Sequence, residues 1–340
     1  MKTKVSISKD KPTDCNIESI LDAQLVELAE IRNPGANEKE LDAAILELQA
    51  AIQPVYVTYH QFSRTIECVP ELEFYELKTN RNQMLISMEE QQQLRKMHIS
   101  IAGMSIGSTI LYGLVGSGFG CSFTISDDDA FSTSNLNRVQ ATLLDVGKKK
   151  VEVAMVRAMM MDPFLEIDAC EERIGQGNID RFFAYGKSDV VFDEIDDFKM
   201  KVLVREHAKL TKVPVIMLTN LGDSVMIDVE RYDLDTNLDI FNGQVDQRII
   251  DEIKVGETSV DLMKKFSLSL VDSRLIPKRA VETLELIGKD LVGRPQLYGT
   301  VSAGGALAPL VTRLLKNRGD LDSGRYYLKL DSFSLVDKLT

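Results

Sequence analysis

From His98 onward the chain alternates between two hydrophobic periods. His98-Ile99-Ser100-Ile101-Ala102 is a short apolar run that breaks at Gly103-Met104-Ser105-Ile106-Gly107-Ser108. Ile110, Leu111, Leu114 and Val115 then recur at helical spacing until Gly116-Ser117-Gly118-Phe119-Gly120. A second run, Ser122-Phe123-Thr124-Ile125-Ser126, stops in Asp127-Asp128-Asp129. Strand, glycine turn, helix and strand ending in an acid predict a βαβ unit suited to a nucleotide. A helix carrying Val151, Ala154, Met155 and Ala158 follows and ends near Asp162-Pro163. Leu165, Ile167 and Ala169 alternate with Glu166, Asp168 and Cys170, a strand with one polar face. Asp189 to Asp193 reads as a buried strand, followed by a helix over 199–210 and strands over 213–218 and 225–229. A loop with short helices is expected over 240–278, and helices over 278–291 and 302–316. The Ala303-Gly304-Gly305-Ala306 start of the last predicts close packing against another backbone.

The N-terminal pattern differs. Ile17, Ile20, Leu21, Leu25, Leu28 and Ile31 predict a helix over 14–31, closed by Asn33-Pro34-Gly35. A second helix starts at Asn37 with Glu40 three residues on, a capping-box spacing, and runs to Pro54. Residues 55–59 and 65–69 predict a β-hairpin, and 70–78 and 89–96 helices. The division expected is a helical and β-hairpin appendage over 1–78 and a nucleotide-binding domain over 79–340. For the appendage, packing is the favoured role over a substrate clamp.

A chain of 340 residues that is 44% hydrophobic holds one large core or two modest ones. The net charge of −12 argues against a general nucleic-acid binder, whose affinity rests on neutralising phosphates. The first residues lack the apolar core of a signal peptide, and no apolar run approaches the ~20 residues of a membrane span. A cytoplasmic protein without membrane contact is expected. Cys15, Cys68, Cys121 and Cys170 form no Cys-x-x-Cys pair, so no structural zinc is expected and the thiols read as reduced and mostly buried. His60, His98 and His207 lack metal-ligand spacing and read as structural.

Phosphates placed at Gly103–Ser108 would meet backbone N–H groups and the positive end of the next helix. Only Gly103 and Gly107 remain of a G-x-G-x-x-G pattern. Asp127, at the end of the second strand, is placed to accept ribose hydroxyls, which fits NAD, FAD or ATP. Arg138, Lys150 and Asp196 are brought to the same sheet edge and separate these options. Hydride transfer needs no such set, whereas nucleotidyl transfer needs cations on a triphosphate and a carboxylate for Mg²⁺.

Ser134-Asn135-Leu136-Asn137-Arg138, Asp145-Val146-Gly147-Lys148-Lys149-Lys150-Val151-Glu152 and Asp189 to Asp197 together resemble the ThiF/MoeB/ubiquitin-activating-enzyme superfamily, over about residues 78–230. Arg81-Asn82, Arg294-Pro295-Gln296-Leu297 and Gly304-Gly305 look like a zinc-free, ThiF-like bacterial branch of it. The resemblance implies a Rossmann-like doubly wound, mostly parallel sheet with an antiparallel extension. It implies that Gly103, Gly107 and Ser108 line the phosphate turn, with Asn135 in the same nucleotide-binding set. Asp127 would bind the ATP ribose, Asp129 steady the site, Arg138 and Lys150 contact phosphates and Asp196 hold Mg²⁺. Arg81 matches an arginine that reaches a partner subunit's ATP, which implies a homodimer. The implied activity is adenylation of a carboxylate on a protein, peptide or small-molecule acceptor, with release of pyrophosphate. Since no cysteine lies beyond residue 170, no downstream thioester is expected. Three other readings stand beside it: a nucleotide-binding module without chemistry, a threonylcarbamoyladenosine dehydratase-like enzyme acting on tRNA, and an NAD- or FAD-dependent oxidoreductase.

Overall fold

In the computed structural model, the structure describes residues 4–13, 16–256, 259–271, 277–283, 286–316 and 321–330. Their described residues form two compact units: Met1–Arg95 with Val115–Cys121 and Val156–Leu165, and Lys96–Leu114 with Ser122–Met155 and Glu166–Thr340.

The first unit carries a four-stranded sheet. Its strands are β1 (Val5–Ser8), β2 (Ile17–Ser19), β3 (Val55–Tyr59) and β4 (Arg64–Cys68), in the order β1-β3-β4-β2. The β3–β4 hairpin is the predicted one, and β1 extends it antiparallel with Val5 opposite Tyr59. The helix expected over 14–31 is shorter than its apolar spacing suggests. It spans Leu21–Arg32, because Ile17-Glu18-Ser19 pairs in parallel with Thr65-Ile66-Glu67. Asp14 and Cys15 lie outside the described residues. The helix Glu38–Ala51 starts as predicted, with Asn37 Oδ1 accepting from Lys39 and Glu40 and the Glu40 carboxylate accepting from the Asn37 N–H at 2.8 Å. Tyr75 donates to Gly118 O at 2.8 Å, and Lys78 pairs with Asp162 at 2.8 Å. Residues distant in sequence thereby close this unit's core.

The second unit is built on a seven-stranded sheet. Its strands are β5 (His98–Ala102), β6 (Ser122–Ser126), β7 (Glu166–Cys170), β8 (Val190–Asp193), β9 (Val215–Asn220), β10 (Ser224–Glu230) and β11 (Gly324–Lys329). The order is β11-β10-β9-β8-β5-β6-β7. Strands β5 to β9 pair in parallel, whereas β10 runs antiparallel to both β9 and β11, the expected antiparallel extension. Successive strands run outward from β5 to β6 and β7 on one side, and to β8 and β9 on the other. The order therefore reverses between β5 and β8, and a crevice opens at their carboxyl ends.

The helix Tyr298–Lys316 presses Gly304 and Gly305 onto the helix Ile106–Gly116. A Cβ on Gly305 would lie 2.6 Å from Thr109 Cβ, so the backbones meet as the small-residue run predicted. The helix expected over 278–291 spans only Lys278–Thr283. Beyond it, Gly288 has φ +80° and Ile287 bridges to Leu291, which no continuous helix allows. Strands β1, of four residues, and β2, of three, are too short to stand out in the sequence, and β11 does not alternate. Among the described residues, no helix is long and apolar enough to cross a membrane.

Candidate active site

The turn after β5 is shaped by contacts on its protein side. Gly103 takes φ +86°, and a Cβ there would stand 2.5 Å from the Glu194 carbonyl at the end of β8. Only glycine admits both the backbone angle and the contact. A Cβ on Gly107 would meet Ile101 Cγ2 at 2.9 Å and Met104 Cε at 3.0 Å. Met104 is fully buried, so the residue that interrupts the glycine pattern turns inward and leaves the crevice side of the turn open. Ser108 is also buried, and its hydroxyl donates to Ser105 O at 2.9 Å.

Asp127, at the end of β6, ties this turn to the next element. Its Oδ2 accepts from the Met104 N–H at 2.6 Å, and its Oδ1 from the Asp129 N–H at 2.8 Å. Burial pushes its carboxyl above the ordinary range, against the opposing pull of Lys150 and these amides. Lys150 opens the helix Lys150–Met161 and is 8% exposed. Its Nζ lies 2.6 Å from Asp129 Oδ2 and 3.7 Å from Asp127 Oδ2. Such a cation is aimed and partly desolvated, unlike a lysine on a solvated helix face.

Arg138 and Asn135 share one turn. Asn135 Oδ1 accepts from the Ser132 N–H at 3.0 Å, closing a capping box around Thr133–Asn135. Arg138 donates to Ser134 O at 2.8 Å and Asn137 Oδ1 at 2.9 Å, while its buried Nε has no hydrogen-bond partner. Burial lowers its pKa, Asp196 opposes that shift, and Arg294 adds to it. Asp196 is exposed in the loop after β8. The cap of the helix Phe198–Thr211 is its neighbour: Asp197 Oδ1 accepts from Lys199 and Met200 at 2.9 and 3.1 Å. Asp196 is thus spared that duty.

Gly103, Asp127, Asp129, Lys150 and Asp196 line one crevice. Arg138 is not among the residues that line it, although it feels the charge of Asp196. Arg81 belongs to the first unit, exposed in the turn Asn80–Asn82. Two crevice residues escaped sequence reasoning. Arg173, from the loop after β7, places Nε 3.4 Å from Asp128 and Nη1 3.5 Å from Asp197. Glu194 accepts from the Leu218 N–H at 2.8 Å, and burial holds its carboxyl well above the ordinary range. Their one sequence signal is position, just past a strand end at the edge where ligands bind.

The histidines are structural. His98 bonds Ser122 Oγ and Thr124 Oγ1 at 2.8 and 2.9 Å, and the His207 ring packs 4.5 Å from Phe183. Cys68 and Cys170 are free and buried, and burial pushes each thiol up to about 11.

The fold and this crevice define a Rossmann-like α/β protein with an acid-and-cation crevice at the sheet's switch point. Residues 79–244 match the model of the ThiF family, which places this part of the chain in the ThiF/MoeB/ubiquitin-activating-enzyme-like superfamily. It is 30% identical to an uncharacterized protein of Mycobacterium tuberculosis, MT1398, over 83% of this chain and 38% of that protein. It is 28% identical to the tRNA threonylcarbamoyladenosine dehydratase of Haemophilus influenzae, over 46% of this chain and 60% of that protein. To the sulfur carrier protein adenylyltransferase of Thermus thermophilus it is 29% identical, over 42% of this chain and 53% of that one. The chain thus spans between 38 and 60% of the length of these three relatives. Among solved structures, PaaA superposes with a TM-score of 0.52 at 17% identity, over 77% of this chain and 78% of that one. The Escherichia coli dehydratase TcdA in complex with AMP gives a TM-score of 0.51 at 17% identity, over 71% of this chain and 94% of that one. At such identities these two likenesses establish the fold.

Proposed function

We propose that the chain is an ATP-dependent adenylyltransferase that activates a carboxylate as an acyl-adenylate without passing it to a cysteine. The observation that carries this is the crevice in which Lys150 and the exposed carboxylate of Asp196 meet Gly103 and Asp127, with the buried Arg138 Nε, a donor without a partner, within the electrostatic reach of Asp196. A buried donor left open at the carboxyl edge of a parallel sheet asks for an anionic ligand.

In this reading the N–H groups of the turn after Gly103, at the start of the helix Ile106–Gly116, receive phosphate oxygens. Asp127 accepts ribose hydroxyls. Lys150 exchanges Asp129 for phosphate, and Arg138 turns its open Nε to the α-phosphate. Asp196 offers the hard oxygen that suits Mg²⁺, and the metal when bound neutralises phosphate charge. The acceptor's carboxylate oxygen forms a bond to the α-phosphorus while the bond from that phosphorus to the α,β-bridging oxygen breaks. Pyrophosphate leaves with the electron pair, and no proton is transferred at the acceptor. Arg138 and Lys150 stabilise the charge that spreads over the transferring phosphoryl oxygens.

ATP–pyrophosphate exchange with a panel of carboxylates tests this. Lys150→Ala and Asp196→Ala should each lower exchange by about a hundredfold or more, the usual scale for removing one transition-state contact. Undiminished exchange in both variants would sink the site. For the homodimer, mixing Arg81→Ala with Asp196→Ala protein should restore part of the activity if Arg81 acts across the dimer. No recovery in heterodimers shown to have exchanged subunits would remove Arg81 from the site.

A second reading, a dehydratase acting on a modified tRNA, is favoured by the likeness to the H. influenzae enzyme over 159 residues. The net charge of −12 weighs against it. Retention of tRNA on a filter at 0.1 M salt separates the two readings.

A further inference from the structure

The sheet of the first unit carries a cleft with no part in the adenylation chemistry. Pairs across β3 and β4 set its floor: Val55 opposite Cys68, Val57 opposite Ile66 and Tyr59 opposite Arg64. Directly opposed residues point to one side of an antiparallel pair, so these residues share a face. That face is graded. Val55, Val57 and Cys68 are buried, Ile66 and Tyr59 half-buried, and Arg64 exposed. Val5, Val55, Val57 and Cys68 form one packed cluster, which thins toward Tyr59 and Ile66. There a cleft of about 600 Å³ opens, walled by Phe74, Met160 and Pro163 and by Ile20 and Gln24 at the start of the helix Leu21–Arg32. All of these residues belong to the first unit. Ile20, Phe62 and Met160 stand exposed at the rim.

Polar groups are few and sit mainly at the open end. Gln24 engages its Oε1 on the Val69 N–H at 2.9 Å, and the Tyr59 hydroxyl donates to Met159 O at 3.4 Å. Arg64 gives one N–H to the exposed Glu18 of β2, and its other donors have no partner among the described residues. A concavity of this size falls within the range of small-molecule sites, about 300–1,000 Å³, which are lined mostly by apolar side chains with a few placed polar groups. A flat apolar face would suit another protein surface. A concavity that is apolar at its closed end and cationic at its mouth suits a single apolar chain with an anionic head. The guanidinium fork matches a carboxylate in two parallel hydrogen bonds. An exposed ion pair such as Arg64 with Glu18 contributes little, so a second carboxylate can share the guanidinium. Because Glu18 already offsets part of its charge, Arg64 suits a head of one negative charge better than a phosphate of two.

We propose that this cleft binds a medium-chain aliphatic carboxylate. The tail lies against Val57, Ile66 and Cys68, and the carboxylate meets Arg64 at the mouth beside Tyr59. Phe62 and Met160 fold over the tail and lose their exposure. Binding there requires no adenylation of the ligand.

The test is isothermal titration calorimetry of the full chain with hexanoate, octanoate, decanoate and dodecanoate, each below its micellar concentration, and with decanol and decylamine. Each added methylene should tighten binding about fourfold until the cleft is full. Decanol and decylamine should bind about tenfold or more weakly than decanoate. Arg64→Ala should weaken decanoate about tenfold and leave decanol as it was, since charge-assisted hydrogen bonds are lost and the apolar contact is kept. Ile66→Trp fills the cleft and should abolish binding of the whole series. Where circular dichroism shows that this variant does not fold, Met160→Trp narrows the entrance from the exposed rim and should weaken decanoate about tenfold or more. The assignment is overturned if no acid binds at about 1 mM, if affinity does not change with chain length, or if decanol matches decanoate. It is equally overturned if decanoate binds Arg64→Ala, or the folded Trp variant, as it binds wild type. Sedimentation velocity is run alongside: a wild-type dimer that Met160→Trp splits, with no acid bound, would give this face to a second copy of the chain instead.

Discussion

Replacing Arg205 with Met should destabilise the second unit in a pH-dependent way. Arg205 is fully buried between Asp193 and Glu230, which are themselves 0% and 1% exposed. Its Nη1 donates to Asp193 Oδ2, and its Nε lies 2.7 Å from Glu230 Oε2, an ion pair by distance without an aligned hydrogen bond. Its guanidinium also sits 4.1 Å from the centre of the Phe241 ring. Without Arg205, Asp193 keeps Lys201 at 3.1 Å, so the stranded charge is that of Glu230. Breaking a buried pair on one side is destabilising by about 3–5 kcal/mol. The Tyr232 hydroxyl and the Phe241 N–H still donate to Glu230 at 2.5 and 2.6 Å, which places the loss near the lower end. Burial already holds the Glu230 carboxyl above its ordinary range, and Arg205 is the main force opposing this. Its removal raises the folded pKa further. A raised folded pKa means that the native state binds a proton the unfolded chain has released, so stability falls as pH rises through that window. The deficit of Arg205→Met relative to wild type should therefore be full at pH 8 and shrink toward pH 5. Adding Glu230→Gln should recover most of it at pH 8. Urea unfolding followed by far-UV circular dichroism is the assay, since the chain has no tryptophan. A deficit below about 1 kcal/mol, or one that does not change with pH, would refute this account of the buried charges.

Met104→Gly should lower stability by at least about 2–4 kcal/mol, because a fully buried side chain is lost and a cavity left; an unchanged melting temperature would show that Met104 is not part of the core. Gly103→Ala should be destabilising by about 2 kcal/mol or more, from φ +86° and the 2.5 Å approach to Glu194 O, read by the same unfolding curves. With thiol pKa values of about 11, Cys68 and Cys170 should remain mostly unmodified by iodoacetamide at pH 7.5, as mass spectrometry can show. Incubation with ATP and an acceptor should likewise give no hydroxylamine-sensitive adduct on Cys170. Rapid labelling of Cys170 in the folded protein would reopen covalent transfer.

The parallel sheet was legible because buried strands write near-continuous apolar runs and the intervening helices keep their period, as between His98 and Asp193. The capping box at Asn37 and the contact at Gly304-Gly305 were legible for similar reasons, since both rest on local chemistry. Ile17–Ser19 was not, because the same residues satisfy a helical stripe, and only pairing with β4 decides otherwise. The charges divide in the same way. Asp127, Lys150 and Asp196 stand at element ends, where position alone suggests a role. Arg205 and Glu230 lie 25 residues apart within ordinary elements, and nothing but the folded sheet brings them together.

The interleaving of the two units bears on how the chain is made. The first unit draws on Val115–Cys121 and Val156–Leu165 as well as on the first 95 residues. A ribosome delivering residues in order cannot complete it until residue 165 has emerged. By then β5 and β6 have also left the tunnel, and β7 begins with the next residue. Domains that fold one after another during synthesis close before their successors appear. Here the part synthesised first stays unfinished while the central sheet is being assembled, and its exposed β1–β4 strands must wait for it.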